Sequence, residues 1–306
     1  MQMIRYVVIA SVTAVFWVVS GSPLQAQHPV ERTEWTVTPL RKEGQPIIPL
    51  FDGWYRNPDG TNQLCFGYKN LNTQETLDIP LGPDNFIKPA EFEGGQPTHF
   101  MVSEPIEGYQ KHWCVFTVKV PEDFGTQWVR PRLLGPDDDG VVWWTLRRNG
   151  QSFSVPGHLG SVNYILEELV SPARNIVAPV VTFLDPAGLE GQGRNGDITA
   201  GPVRVAVGQP LTLSVSVTTP EGHDTRPNWH VGWGKHQGSG DVTFSERTIE
   251  LEQGENSSTM PTVATTAATF SERGDYLLRV QAIEFTGSFE FHCCWTNGYV
   301  QVTVTQ

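Results

Sequence analysis

The sequence predicts an all-β protein made of two tandem antiparallel β-sandwich domains, and three observations lead there. Almost every interpretable run is short, rich in β-branched and aromatic residues, and bounded by turn formers. With 30 Gly and 23 Pro in 306 residues, long helices have little room. In the second half, seven or eight such runs fall within about 130 residues, the density of an antiparallel sandwich.

The chain opens on an export pattern. Arg5 is the only charged residue before the apolar run Val7–Ser20, and Gly21-Ser-Pro-Leu-Gln-Ala26 supplies small residues for cleavage near Ala26. The run reaches about 21 Å as a helix, short of about 30 Å of bilayer hydrocarbon, so a cleaved signal peptide is expected over residues 1–26 rather than an anchor. No cysteine precedes Cys65, so no lipid-attachment site is expected, and no later run is long and apolar enough to span a membrane. The expected location is secreted or periplasmic, with no stable membrane insertion after cleavage.

The N-terminal β-sandwich domain is placed at 27–157. Its strand-like runs are Gln63–Lys69, Glu75–Leu81, Trp113–Val120 and Val141–Arg147, separated by turns such as Asn57-Pro-Asp-Gly60, Gly82-Pro-Asp84 and Gly135-Pro-Asp137. Asn149-Gly150 suits a type I′ hairpin turn, whose two central residues both take positive φ. A linker follows at 158–177, with one short helical stretch predicted at Val162–Leu169. The second domain occupies 178–306. The segment 188–201 carries glycine at 188, 191, 193, 196 and 201 and reads as a mobile surface loop. Strands are expected at Val203–Val207, Leu211–Val217, Trp229–Trp233, Val242–Phe244, Thr266–Phe270, Tyr276–Ala282 and Tyr299–Thr305.

In this second half, Val207-Gly-Gln-Pro-Leu-Thr-Leu-Ser214, Trp233, Gly240-Asp-Val-Thr-Phe244 and Thr266–Val280 resemble the bacterial immunoglobulin-like and PKD-like modules of exported proteins. The resemblance implies an Ig-like sandwich with Trp233 in its core and Tyr276, in Gly274-Asp-Tyr276, as a tyrosine corner. The PKD-type Trp-x-Phe-Gly-Asp-Gly is replaced by Trp233-Gly-Lys-His-Gln-Gly238, so the wider Ig-like class is the better match. The first half is similar to an exported bacterial family of unknown function through Phe51–Gly60, Ile79–Asn85, Gly95-Gln-Pro-Thr-His-Phe100 and Val155-Pro-Gly157. Neither resemblance implies an activity.

Charge narrows the partners. Removing Arg5 with the signal leaves 20 basic against 33 acidic residues, a balance of −13. Such a surface repels nucleic acid and anionic lipid, whose binding needs Lys and Arg against phosphate. An extracellular protein or glycan is the expected partner.

Cys65, Cys114, Cys293 and Cys294 are expected as disulfides in an oxidising compartment. Cys65 and Cys114 both lie on strand-like runs of the first half, which favours a bridge between them. Closing such a loop removes denatured-state entropy worth about 4 kcal/mol. In Phe291-His-Cys-Cys-Trp-Thr-Asn-Gly298 a vicinal bridge is favoured, with bridges to Cys65 or Cys114, free thiols and metal ligation as alternatives. His292 and Cys294, with His230 and His236, are the candidate metal ligands, suited to copper or zinc. Alternation along a strand separates Cys293 from His292 and Cys294, and no Cys-x-x-Cys or His-x-x-x-His spacing occurs. A redox role for the His292-Cys293-Cys294 hairpin is the competing functional class.

The other candidate sites carry less. Asp137-Asp-Asp-Gly140 lacks the alternating oxygens of a calcium loop and reads as a solvated turn, as does Glu167-Glu168. No Gly-x-Ser-x-Gly occurs, and His99 and His112 have no nucleophile partner in sequence. Nine tryptophans remain after the signal, and Trp54, Trp144 and Trp295 are the candidates for a sugar-binding surface. Asn256-Ser-Ser258 is a formal glycosylation sequon. No cofactor is expected. The function predicted is a secreted or periplasmic non-catalytic binding or structural protein, the alternatives being a metal or redox protein and a carbohydrate-binding module.

Overall fold

A computed structural model describes residues 41–102, 111–125, 140–160, 162–166, 170–171, 175–195, 197–223, 228–252, 261–284 and 294–306. The export segment, Trp128, Asp137–Asp139, Glu167-Glu168, Asn256–Ser258, His292 and Cys293 lie outside them. Leu40–Gln306 form one compact unit. Among the described residues there is no α-helix, only strands and two 3-10 turns, Ala90–Phe92 and Val162–Tyr164. The second turn occupies the start of the predicted helical stretch.

The first half holds β1 (Ile47–Arg56), β2 (Asn62–Asn70), β3 (Leu77–Asp78), β4 (Asn85–Lys88), β5 (His99–Phe100), β6 (His112–Val120), β7 (Val142–Arg148) and β8 (Gln151–Gly157). They form antiparallel sheets β1-β2-β6 and β4-β7-β8, with β3 paired to β5. Side chains two apart on each strand share a face. Leu64, Phe66 and Tyr68 on β2, Phe116, Val118 and Val120 on β6, Ile87 on β4 and Val142, Trp144 and Leu146 on β7 therefore meet in one core. The Asn149-Gly150 turn forms as expected, with φ of 50° and 73°, and joins Arg148 to Gln151 in register.

Two short strands, β9 (Val170–Ser171) and β10 (Ile176–Val177), lead to the second half. There β11 (Val180–Asp185), β12 (Ala187–Gln192), β13 (Thr199–Ala206), β14 (Leu211–Thr218), β15 (Asn228–Gln237), β16 (Val242–Phe244), β17 (Thr248–Glu252), β18 (Thr262–Phe270), β19 (Gly274–Glu284) and β20 (Trp295–Thr305) follow. The sheets are β12-β11-β14-β18-β16 and β13-β20-β19-β15-β17. The run β11-β14-β18-β16 has the A-B-E-D order of an immunoglobulin sandwich, and β15-β19-β20 supplies C-F-G. Strand β13 adds to β20 in parallel, the one parallel pair among the described strands.

Two details fix the Ig-like assignment from within the chain. Trp233, on the strand equivalent to C, is buried in the core with Val215, Leu278 and Val280. Tyr276, at the start of the strand equivalent to F, donates its hydroxyl to Glu272 O at 2.8 Å and accepts from Gly240 N at 3.1 Å, which is a tyrosine corner.

The expected mobile loop at 188–201 is instead largely strand. Gly191 and Gly201 are where neighbours approach closely: a Cβ would lie 2.7 Å from Ile198 Cγ1 at the first and 2.5 Å from Gln301 O at the second. A glycine-rich run reads as flexible when its partner strand is unknown.

Candidate functional site

The most constrained polar cluster sits on the outer face of β1-β2-β6. Both outer strands bulge there: the register of β1 with β2 shifts between Phe51 and Gly53, and that of β2 with β6 between Phe66 and Tyr68. Asp52 lies in the first bulge and spans to the second, accepting from Cys114 N at 2.7 Å and from Lys111 Nζ at 2.7 Å. It must pass over β2, and Gly67 permits this. A Cβ on Gly67 would stand 2.3 Å from Asp52 Oδ2. Cys114 itself has φ of 40°, so the hydrogen bond to Asp52 holds a conformation that is uncommon outside glycine. Burial raises the Asp52 carboxyl above its ordinary range against the opposing pull of Lys111. Burial also lowers Lys111, whose ammonium lies 3.1 Å from the centre of the Trp113 ring.

Beside this cluster lies the Cys65–Cys114 disulfide, with Cα atoms 5.1 Å apart. Cys65 occupies the face of β2 opposite the first core, which is why β2 is buried on both sides. Tyr55, Leu166 and Trp295 enclose the two sulfurs. Since Trp295 begins β20, the disulfide marks a seam between the two halves of the chain.

Polar side chains of the second sandwich carry that seam. Asn297 Nδ2 donates to Cys114 O at 3.3 Å and to Arg194 O at 2.9 Å, and Tyr299 Oη donates to Val115 O at 3.1 Å. His236 Nε2 donates to Gly95 O at 2.9 Å, and Thr98 N donates to His236 O at 2.9 Å. Lys235, buried, meets Asp78 at 3.0 Å and donates to Gly240 O at 2.7 Å. Burial pushes the Asp78 carboxyl up, but hydrogen bonds from His99 and Lys235 outweigh it and the net shift is downward. Burial depresses His236 to about 3 and His112 to about 4, so both imidazoles are neutral near pH 7.

Among the described residues, those singled out from sequence do not converge. Trp144 is 0 % exposed and donates Nε1 to Asn85 Oδ1 at 3.1 Å, so it is a core side chain and not a face for sugar. Trp295 is 4 % exposed beside the disulfide, and Trp54 packs on the first core from a partly buried position. Trp295 presents no open ring. The sequence marked Trp144 through the Trp143-Trp144 pair, and alternation turned that member inward. His236 is committed to the seam, and His230 lies 3.8 Å from Glu250 on the neighbouring strand. Cys294 is buried, disulfide-bonded, and has its Sγ 3.5 Å from Ile176 O. Among the described residues no three His, Cys, Asp or Glu side chains gather as a metal site.

Asp52, Lys111, Arg279 and Asn297 went unmarked in the sequence. Asp52 had a signal in Phe51-Asp-Gly-Trp54, where a carboxylate interrupts an otherwise apolar strand. The others look like ordinary polar residues until the facing sheet is known. Open grooves lie elsewhere, one between Leu81, Asp84 and Arg147 and another between Gln237, Asp275 and Gln301.

No protein-family model matches the chain, and no curated protein matches it. Distant structural similarity is found to Ig-like domains of bacterial surface proteins. Domains 4 and 5 of the S-layer protein SbsC match at 12 % identity over 86 % of this chain and 98 % of that one, with a TM-score of 0.22. The D00-D0 domain of intimin matches at 13 % identity over 85 % of this chain and 100 % of that one, with a TM-score of 0.25. The architecture rests on the sheet order and core described above and draws nothing from scores of that size.

Proposed function

We propose that this chain is an exported, non-catalytic structural or binding protein whose two sandwiches act as one stiff unit, holding its loops toward an extracellular protein or glycan. The observation that supports it most is the use made of the buried polar side chains. Asn297, Tyr299, His236 and Lys235 are each spent on main-chain or carboxylate partners across or beside the seam. Buried polar groups contribute little net stability but specify one arrangement. That is the property a rigid display or spacer element needs.

Export is supported by the leader pattern and by the Cys65–Cys114 disulfide, which persists in oxidising compartments. The test is recovery of the chain from its source cells by fractionation. A mature N-terminus near Gln27 and four cysteines that resist alkylation without reductant are expected. A full-length cytoplasmic chain with reactive thiols would overturn the reading.

A further inference from the structure

Arg279 carries an observation that the stiff-unit reading does not use. It lies on the face of β19 that meets the seam, in register with Tyr299 on β20 and with Gly234 on β15. Because Gly234 has no side chain, Met101 lies against it: a Cβ there would be 3.6 Å from Met101 Sδ. Met101 N donates to Tyr68 Oη at 3.0 Å, and the Tyr68 ring stacks on His112 with centroids 4.6 Å apart. Arg247 closes the other side, its Nη2 against the same Met101 sulfur, a weak acceptor.

The polar atoms of this corner do not satisfy one another. Arg279 Nη1 is buried with no hydrogen-bond partner among the described residues, and so is His112 Nε2. Among the described residues, the groups that act electrostatically on Arg279 are Tyr299, Tyr68 and Arg247, two phenols and a second guanidinium, with no carboxylate. Tyr68 Oη accepts from Met101, which leaves its own proton to donate. A buried, uncompensated guanidinium is costly, and among the described residues this one has no acidic side chain to offset it. Arg279 as a residue is partly covered, while its Nη1 is buried.

We propose that this corner is a binding site for a small monoanion, a halide or a compact carboxylate, held by Arg279 Nη1 and the Tyr68 hydroxyl beside Arg247. One negative charge is the complement of a guanidinium whose buried Nη1 has no partner among the described residues. Bound there, the ion ties β19 of the second half to β2 and β6 of the first.

Thermal melts of the full chain at constant ionic strength test this, exchanging sodium gluconate for sodium chloride, and separately for sodium acetate. Past half-saturation the midpoint should rise by about 3 °C for each tenfold increase in the bound anion. A rise with chloride alone identifies a halide site, and a rise with acetate as well identifies a site open to carboxylates. Arg279→Met should abolish the difference from gluconate, while Arg247→Gln should shift the chloride response to higher concentration. Should Arg279→Met fail to fold, anomalous diffraction from wild-type crystals grown in bromide decides, with a peak expected within hydrogen-bond reach of Arg279. Superimposable chloride, acetate and gluconate melts, or no bromide peak at Arg279, would leave a bridging water as the only partner and overturn the proposal.

Discussion

At the scale of residues, the chain places its uncommon chemistry where two strands depart from regular pairing. Asp52 and Gly67 depend on one another: the carboxylate reaches Cys114 N only because position 67 has no side chain. Gly67→Ala should therefore lower stability by about 2 kcal/mol or more in a denaturant melt, the cost of overpacking a site whose neighbours cannot retreat. Trp144→Ala removes a fully buried ring and its bond to Asn85, and about 4 kcal/mol of destabilisation is expected, with no selective change in glycan binding. His236 gives a pH signature. Its folded value of about 3 lies below the ordinary 6.5, so the unfolded chain binds its proton first. Stability from this group is complete above pH 6.5 and is lost as pH falls toward 3, at up to about 1.4 kcal/mol per pH unit. His112 acts in the same direction down to about pH 4, and Asp52, whose value is raised, opposes them. Proton uptake on unfolding, measured between pH 4 and 6.5, should fall by about one proton in His236→Gln.

The scale of elements is where the sequence was most legible. Strands with regular alternation, the Asn149-Gly150 turn, Trp233 in the core and the Tyr276 corner all follow from local pattern, because each is set by period two or by a positive φ. Strand β1 was legible only as a motif, since the bulge at Asp52 and Gly53 breaks its alternation. Strand β12 was hidden by glycine for the opposite reason: close approach to Ile198 and mobility leave the same residue in the sequence. The Cys65–Cys114 bridge was legible from strand placement and compartment together. It closes a separation of 49 residues, and replacing both cysteines by alanine should cost about 4 kcal/mol, read as a lower midpoint in denaturant. With both sulfurs enclosed by Tyr55, Leu166 and Trp295, alkylation under native conditions with mild reductant should be slow.

At the scale of the whole molecule, the seam was not legible at all. Asn297, Tyr299, Lys235 and Arg279 are unremarkable in one dimension, and only the meeting of β20, β19 and β15 with the first half of the chain gives them roles. The described candidate residues drawn from sequence failed to converge for a related reason. Tryptophan and histidine mark both cores and binding faces, and burial separates the two uses. Here Trp144, Trp295 and His236 are all turned inward. Leu40–Gln306 form one compact unit, and the proposed function requires that this unit behave as one stiff body. Scanning calorimetry of the chain from Gln27 to Gln306 tests it most directly. The account predicts a single transition with equal calorimetric and van't Hoff enthalpies. Two separated transitions, one for each half, would contradict it.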